Sequence, residues 1–427
     1  MKFRQFGRRL LAAASLAGVS LVLLSCGASN TVDFLYVTSN KVNPGQINVY
    51  EVDSESGELF QIHDSPYPSG GRNPVYEVAA PNGQSLYVAN HDDNTIVRFA
   101  IGTDGKLYPL QTITTPGTEP VALAINASGT ALFVLDYYAP VAPGQPSYTD
   151  LNPGPGAVIV YPIVDPATGS LGSPLATGAQ DYWPVQCFPS NIAVTPNNGF
   201  VYVTNPNSVV VTTAPPVTGT VPTLPAACQG SGTVSGSVSG FAISGSSGSI
   251  SGLTAVTGSP FSTGSGSAPT GIVAGPAGGA VYVTDSALNQ LYTYTIGPGG
   301  ALSLAGTTNT GAMPMGGTIV NSASGGKFLY ITNYAGGSLS IFSLASGLPS
   351  LVATGSPGSS GPLCILADPD TGRYLYTANY TGGTVGGSEL DPSNGTLITN
   401  KDSPYATSGQ PTCVAAITHA GGNAHNL

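Results

Sequence analysis

Leu86-Tyr87-Val88-Ala89-Asn90 decides the fold, because the chain writes this peptide seven times. The other copies are Leu35-Tyr36-Val37-Thr38-Ser39-Asn40, Leu132-Phe133-Val134-Leu135-Asp136, Val201-Tyr202-Val203-Thr204-Asn205, Val281-Tyr282-Val283-Thr284-Asp285, Leu329-Tyr330-Ile331-Thr332-Asn333 and Leu375-Tyr376-Thr377-Ala378-Asn379. A β-forming peptide that returns every few dozen residues marks a propeller or solenoid. Successive motif aromatics lie 51, 46, 69, 80, 48 and 46 residues apart. The basic repeat is therefore 46–51 residues, and two repeats carry insertions.

Around the motif each repeat reads as four strands, clearest in the second. Pro74 to Ala80 is strand one, Ser85 to Ala89 strand two, Thr95 to Ile101 strand three and Lys106 to Ile113 strand four, joined by Pro81-Asn82-Gly83, a polar loop and Thr103-Asp104-Gly105. Four antiparallel strands with such turns make one blade. A leading proline recurs as Pro74, Pro120, Pro189, Pro269, Pro314, Pro362 and Pro411. The chain enters at a strand two (Phe34 to Thr38) and finishes on a strand one (Pro411 to Thr418), so the two ends complete one blade and leave no open sheet edge. The expected fold is an all-β, seven-bladed propeller over residues 34–419, with 26–33 as a linker and 420–427 as a tail. Both insertions, 136–156 and 205–239, follow strand two. They should build the face that carries the strand two–three loops and the blade-to-blade connections, here called the top, where binding residues are expected.

With 58 Gly, 36 Pro and 7% charged residues at positive mean hydropathy, the composition suits a turn-rich β-protein. Residues 1–25 read as a signal peptide: Lys2, Arg4, Arg8 and Arg9 precede an apolar run from Leu10 to Leu24, too short to span a bilayer. The run ends in Leu23-Leu24-Ser25-Cys26, which resembles the bacterial lipobox. That resemblance implies a diacylated Cys26 as mature N-terminus, and Gly27 after it implies passage to the outer membrane. The expected location is the cell envelope: outer membrane, cell surface or periplasm. Loss of the four cations takes the formal charge from −10 to −14. Such a chain is a poor match for nucleic acid or an anionic membrane surface. A monomer is expected.

Four cysteines remain in the mature chain. Cys364 and Cys413 each lie two residues after a leading proline, at equivalent places on neighbouring repeats, and can pair. Cys187 and Cys228 would then tie a long loop to its own repeat. The alternative is four buried free thiols. No Cys-x-x-Cys occurs, and no metal or cofactor is expected.

The repeat, with Ile-x-x-Phe/Tyr, Gly-x-Leu and the tripeptides Ser65-Pro66-Tyr67, Ser259-Pro260-Phe261 and Ser403-Pro404-Tyr405, resembles the seven-bladed lactonase family, which includes propeller-type 6-phosphogluconolactonases. It is also similar to the YVTN repeats of microbial surface proteins. The shared residues are structural, so the resemblance implies the fold more strongly than a lactonase activity.

A lactonase needs a base, donors for an oxyanion and, for a phosphorylated substrate, cations. Lys106, Lys327 and Arg373 fall beside turns of the opposite face, and Arg98 is mid-strand. Lys41, Arg72 and Lys401 are expected at the top, near His63, Asp64, Glu77, His91, Asp92 and Asp93. Arg72 and Lys41 would hold an anionic substrate, with Glu77 or His91 as base. His419 falls at the opposite end and His425 in the tail. Trp183 with Tyr137, Tyr138, Tyr148 and Tyr182 could form an aromatic platform, or Trp183 could pack beneath an insertion. Two functions follow: a lipid-anchored envelope scaffold binding a protein or glycan through the insertion-bearing face, or a lactone hydrolase. The anchor has a direct check. Palmitate incorporation is expected in the wild-type chain and absent from Cys26→Ala; equal labelling would refute it.

Overall fold

The computed structural model describes residues 31–419 other than 142–143, 179–180, 207–227, 229–234, 247, 322–324, 326 and 346. The signal segment, Cys26, Gly27, His425 and the 420–427 tail lie outside the described residues.

Seven antiparallel sheets of four or five strands account for all the described regular structure except two single 3-10 turns. Blade one is shared by the ends: Gln410–Thr418 pairs with Thr31–Asn40, which pairs with Gln46–Asp53. Blade two is Pro74–Ala79, Ser85–Asn90, Thr95–Ile101 and Leu107–Thr114. The innermost strands touch in sequence order and return from blade seven to blade one, which closes the ring. The closing strand starts at Thr31, three residues ahead of the expected Phe34, because Thr31, Val32 and Asp33 are buried.

The motif tyrosine holds one blade to the next. Tyr36, Tyr87, Tyr202, Tyr330 and Tyr376 are solvent-inaccessible, and each hydroxyl donates to a glycine carbonyl in the strand three–four turn of the following blade. The acceptors are Gly105, Gly169, Gly300, Gly395 and Gly57, at 3.2, 2.6, 2.7, 2.8 and 2.9 Å. Gly105 and Gly395 show why the acceptor is glycine. Their φ values are 75° and 79°, and an added Cβ would strike the rings of Phe34 and Phe328, two residues before their motif tyrosines. At two interfaces the device is absent among the described residues: Phe133 has no hydroxyl, and Tyr282, two residues after Ala280, meets no turn carbonyl.

The Ser-Pro-aromatic tripeptides mark a break in strand four. In blade one it splits into Leu59–Gln61 and Tyr67–Pro68, both paired to Gln46–Asp53. Across the break the serine hydroxyl takes over as ladder acceptor. Val49, Gly240 and Gly387 N–H donate to Ser65, Ser259 and Ser403 at 2.8, 2.8 and 2.9 Å. The break relocates three residues expected at the top. His63, Asp64 and Lys401 sit in it, on the outer rim, facing the next blade's strand three–four turn. Lys106 Nζ meets Asp64 at 3.0 Å, and Lys401 Nζ meets Glu58 at 2.8 Å.

Two disulfides are present. Cys364–Cys413, with Cα atoms 5.0 Å apart, joins the innermost strands of blades seven and one, so the closing seam is also covalent. Cys187 belongs to Trp183–Cys187, an outer strand on Pro155–Asp165 of blade three. Its bond to Cys228 therefore links blade three to blade four's insertion, and not a loop to its own repeat.

Tyr330→Phe should lower unfolding free energy by about 1–2 kcal/mol, the worth of a buried hydrogen bond whose acceptor is left unpaired. Tyr282→Phe should cost clearly less. Denaturant titration of both variants checks this, and equal losses would contradict the linkage described.

Candidate functional site

The top face between blades two and three gathers the ionisable groups. His91, Asp92 and Asp93 form a 3-10 turn after strand two, closed by Asn94 at φ 55°. Asn94 Oδ1 accepts the N–H of Glu119 at 2.7 Å, and the His91 N–H donates to Asn73 O at 3.0 Å. The loop thereby clamps the connections into blades two and three. Asp93 grips Arg72 twice, accepting its backbone N–H at 2.7 Å and its Nε–H at 2.6 Å, while Nη2 donates to Asp92 O at 2.8 Å. Lys41, exposed, follows Asn40, whose amide donates to Asn73 Oδ1 at 3.0 Å.

Proton positions on His91 follow from its neighbours. Asp92 Oδ1 accepts the Asn73 amide at 3.0 Å, which holds that carboxyl below the usual range and ionised. An ionised Asp92 only accepts, so the His91 Nδ1 at 2.8 Å carries the proton. That tautomer, when the ring is neutral, has its lone pair on Nε2, 3.8 Å from Glu119 Oε2. Burial raises the Glu119 carboxyl above its ordinary value, with Asp150 and Asp92 adding to the rise.

Glu119, Phe188 and Asp150 are residues of this candidate site that the sequence reading missed. Glu119 and Phe188 each precede a leading proline and stand at φ 58° and 56°, as Asn73 and Met313 do at 50° and 55°. A non-glycine residue pays about 1 kcal/mol or more to sit there, and the recurrence, with Gly361 at φ 67° before Pro362, makes the conformation part of how the chain enters a blade. Collecting the residues before the leading prolines would have found them. Asp150, from the first insertion, accepts the Tyr138 hydroxyl at 3.0 Å. Tyr137 stands edge-on to Tyr138 at 4.8 Å and lies 5.9 Å from Phe188, giving Glu119 an aromatic wall.

The other expected groups stand elsewhere. Trp183 is only 7% exposed; its indole N–H donates to Leu253 O of blade four at 2.8 Å, and it packs between blades three and four. It is part of an edge strand and not of a blade-to-blade loop, so no platform includes it. Tyr148 and Tyr182 are half-buried on the neighbouring core. Tyr138 is buried.

Glu77 is 2% exposed, accepts the Thr38 N–H at 3.0 Å through Oε1 and has no partner for Oε2. Its position pairs with the residue after the motif aromatic, where the other blades have Leu123, Ile192, Ile272, Gly317, Ile365 and Val414. It is a buried carboxyl at a position that is aliphatic or glycine in the other six blades. Among the described residues no three His, Cys, Asp or Glu side chains are grouped to hold a metal.

A family model described as Lactonase, 7-bladed beta-propeller matches residues 77–138, the segment that carries His91 and Glu119. No curated protein matches the chain. Among solved structures, a candidate 6-phosphogluconolactonase from Bacteroides fragilis superposes with a TM-score of 0.67 at 18% identity, over 91% of this chain and 99% of that one. The periplasmic gluconolactonase of Pseudomonas aeruginosa gives 0.66 at 18%, over 91% and 99%. A hypothetical selenium-binding protein from Sulfolobus tokodaii gives 0.58 at 10%, over 91% and 93%. At these identities the likeness carries the fold, a lactonase-like seven-bladed propeller.

Burial lifts the Glu77 carboxyl well above its ordinary 4.5. Below that pH both folded and unfolded chains hold the proton and nothing is lost. As pH rises towards the folded-state value, the unfolded chain releases its proton first and the fold loses stability. Glu77→Gln should therefore melt near the wild-type temperature at pH 4 and above it at pH 8. A variant less stable than wild type at pH 8 would contradict the protonated, buried state.

Proposed function

We propose that this protein is an envelope lactone hydrolase, tethered through a lipid on Cys26, that opens a small neutral lactone with His91 as general base. One observation carries the reading: His91 Nδ1 lies 2.8 Å from Asp92 Oδ1, which fixes the ring and, in its neutral form, puts the lone pair on Nε2 beside Glu119. Nε2 takes a proton from water as the water oxygen bonds to the lactone carbonyl carbon. The tetrahedral adduct collapses by breaking the ring C–O bond, and the departing alkoxide takes the proton back from Nε2. The Arg72 guanidinium and Lys41 supply positive charge for the developing oxyanion. Tyr137 and Phe188 offer faces for a sugar-like ring.

Charge selects the substrate. Asp92, Asp93, Glu119 and Asp150 outnumber Arg72 and Lys41, and Arg72 is already paired to Asp93. A net negative mouth disfavours a phosphorylated lactone. It admits a neutral one and repels the hydroxy-acid anion that hydrolysis produces. The first insertion and the half-exposed Tyr137 favour a second reading, a non-catalytic scaffold that binds a protein or glycan. Purified residues 27–427 should hydrolyse a neutral sugar δ-lactone faster than its phosphorylated analogue. His91→Ala should lower kcat/KM by about 100-fold or more, and Asp92→Asn should shift the pH–rate profile by loosening the ring. Absence of turnover with either substrate would overturn the hydrolase in favour of the scaffold.

A further inference from the structure

The geometry points to a fixed orientation on the membrane: the strand three–four turn end of blade one is held next to the bilayer, and the face bearing His91 and the first insertion is held off it. This inference rests on the lipid anchor proposed above and adds which surface meets the lipid.

The argument is one of reach. Thr31 begins the ten-residue strand Thr31–Asn40 at the bottom face, where it pairs with Asp53, which opens the first strand three–four turn. Five residue steps separate Cys26 from Thr31. In any conformation they span at most about 18 Å. Thr31 and Val32 are buried against their neighbours, so the fold gives the tether no further slack. Asn40, at the other end of the strand, is roughly 30 Å away along the sheet. A lipid on Cys26 therefore cannot bring the top face to the bilayer. The propeller can stand on its bottom face or lean on its rim beside blade one, and in neither posture does the top meet the lipid.

The bottom face is also unsuited to lying flat on anionic lipid. Asp104, Asp165 and Asp391 stand in its strand three–four turns, and hydrogen bonds within the turns hold the last two carboxyls below the usual range and ionised. The cations on this side are mostly spent: Lys106 on Asp64 and Asp104, and Arg373 on Glu389. Attachment then depends on the acyl chains, with electrostatics keeping the turns off the headgroups. A soluble substrate reaches His91 from the aqueous side with no lipid in its way.

The test uses the full acylated protein in phosphatidylcholine vesicles that carry a headgroup energy acceptor. A donor dye is placed on Asp104→Cys in the bottom turn of blade two, or on Leu288→Cys in the top loop of blade five. Both sites are exposed, and the four disulfide cysteines do not react. Transfer to the acceptor should be several-fold stronger from position 104 than from 288. Inserting a 20-residue Gly/Ser linker between residues 30 and 31 should bring the two towards equality. Equal transfer from both positions in the acylated, unlengthened protein would overturn the orientation while leaving the anchor intact. Failure of Cys26 to take up acyl label would overturn the anchor and the orientation with it.

Discussion

Everything in this propeller depends on how one blade grips the next. A single four-stranded blade cannot bury both of its faces, so its stability lies at its two interfaces. The motif tyrosine supplies a directional contact there: a buried hydroxyl on a glycine carbonyl of the following blade. That contact constrains three positions at once. The donor must be tyrosine, the acceptor must be a residue free of a Cβ, and the residue two before the tyrosine caps the glycine. Where the cap is Ala131 or Ala280, the linkage is missing too. Other contacts cross both interfaces. Blades three and four are joined by the Trp183 indole on Leu253 O and by Cys187–Cys228. Between blades five and six, Thr284 Oγ1 donates to Met315 O at 2.9 Å, a contact that Thr204 and Thr332 repeat at interfaces that also have the tyrosine, and Thr308 Oγ1 donates to Pro349 O at 3.2 Å.

The same peptide builds the top face through its last residue. Asn90, Asp136, Asp285, Asn333 and Asn379 are fully buried, and most bind the segment that runs between blades. Asn90 Oδ1 accepts the Ser69 hydroxyl, Asp136 Oδ2 the Gly117 N–H, Asp285 Oδ1 the Ala268 N–H, and the Asn379 amide donates to Pro357 O. The connections that carry Arg72 and Glu119 are thus held by motif residues. A site on these connections is preorganised by the fold's own repeat, which favours geometry-dependent proton transfer. The ring closure adds rigidity where the chain ends meet. Cys364–Cys413 closes a 49-residue separation, worth about 4 kcal/mol of unfolded-state entropy in the simplest account.

Blade number, the shared blade and the equivalence of Cys364 with Cys413 are legible in the sequence, because periodicity and strand alternation report them directly. Strand four is less legible. It breaks at the Ser-Pro-aromatic tripeptides, so residues read as a run towards the top stay on the rim; His63, Asp64 and Lys401 are misplaced for that one reason. Of the two readings open for Trp183, packing wins over the platform, because blade three resumes its outer strand after an excursion and the segment around Trp183 is sheet. Glu77 looks like a base because it is charged and innermost, but it is buried at a position that is aliphatic or glycine in the other six blades. Glu119 and Phe188 escape notice because a left-handed φ at a non-glycine residue leaves no compositional trace.

These misreadings and successes share a physical boundary. Where a residue repeats around the ring, its environment repeats, and its role is structural by necessity. Chemistry requires an environment that occurs once. His91 has that: its loop is the one that brings two acids, an arginine and the first insertion together, and Asp92 orients its ring. The scarcity of cations, which first argues against an anionic substrate, acts in the same direction at the site. An enzyme that turns a neutral ester into an anion gains from a negative mouth on the product side of the reaction. It loses little on the substrate side, provided one arginine and one lysine remain to meet the oxyanion. A charge balance that weakens binding of the product while leaving binding of the substrate unaffected would be an asset to the proposed hydrolase, and it would come from the same loop that ties Arg72 and Asn73 in place.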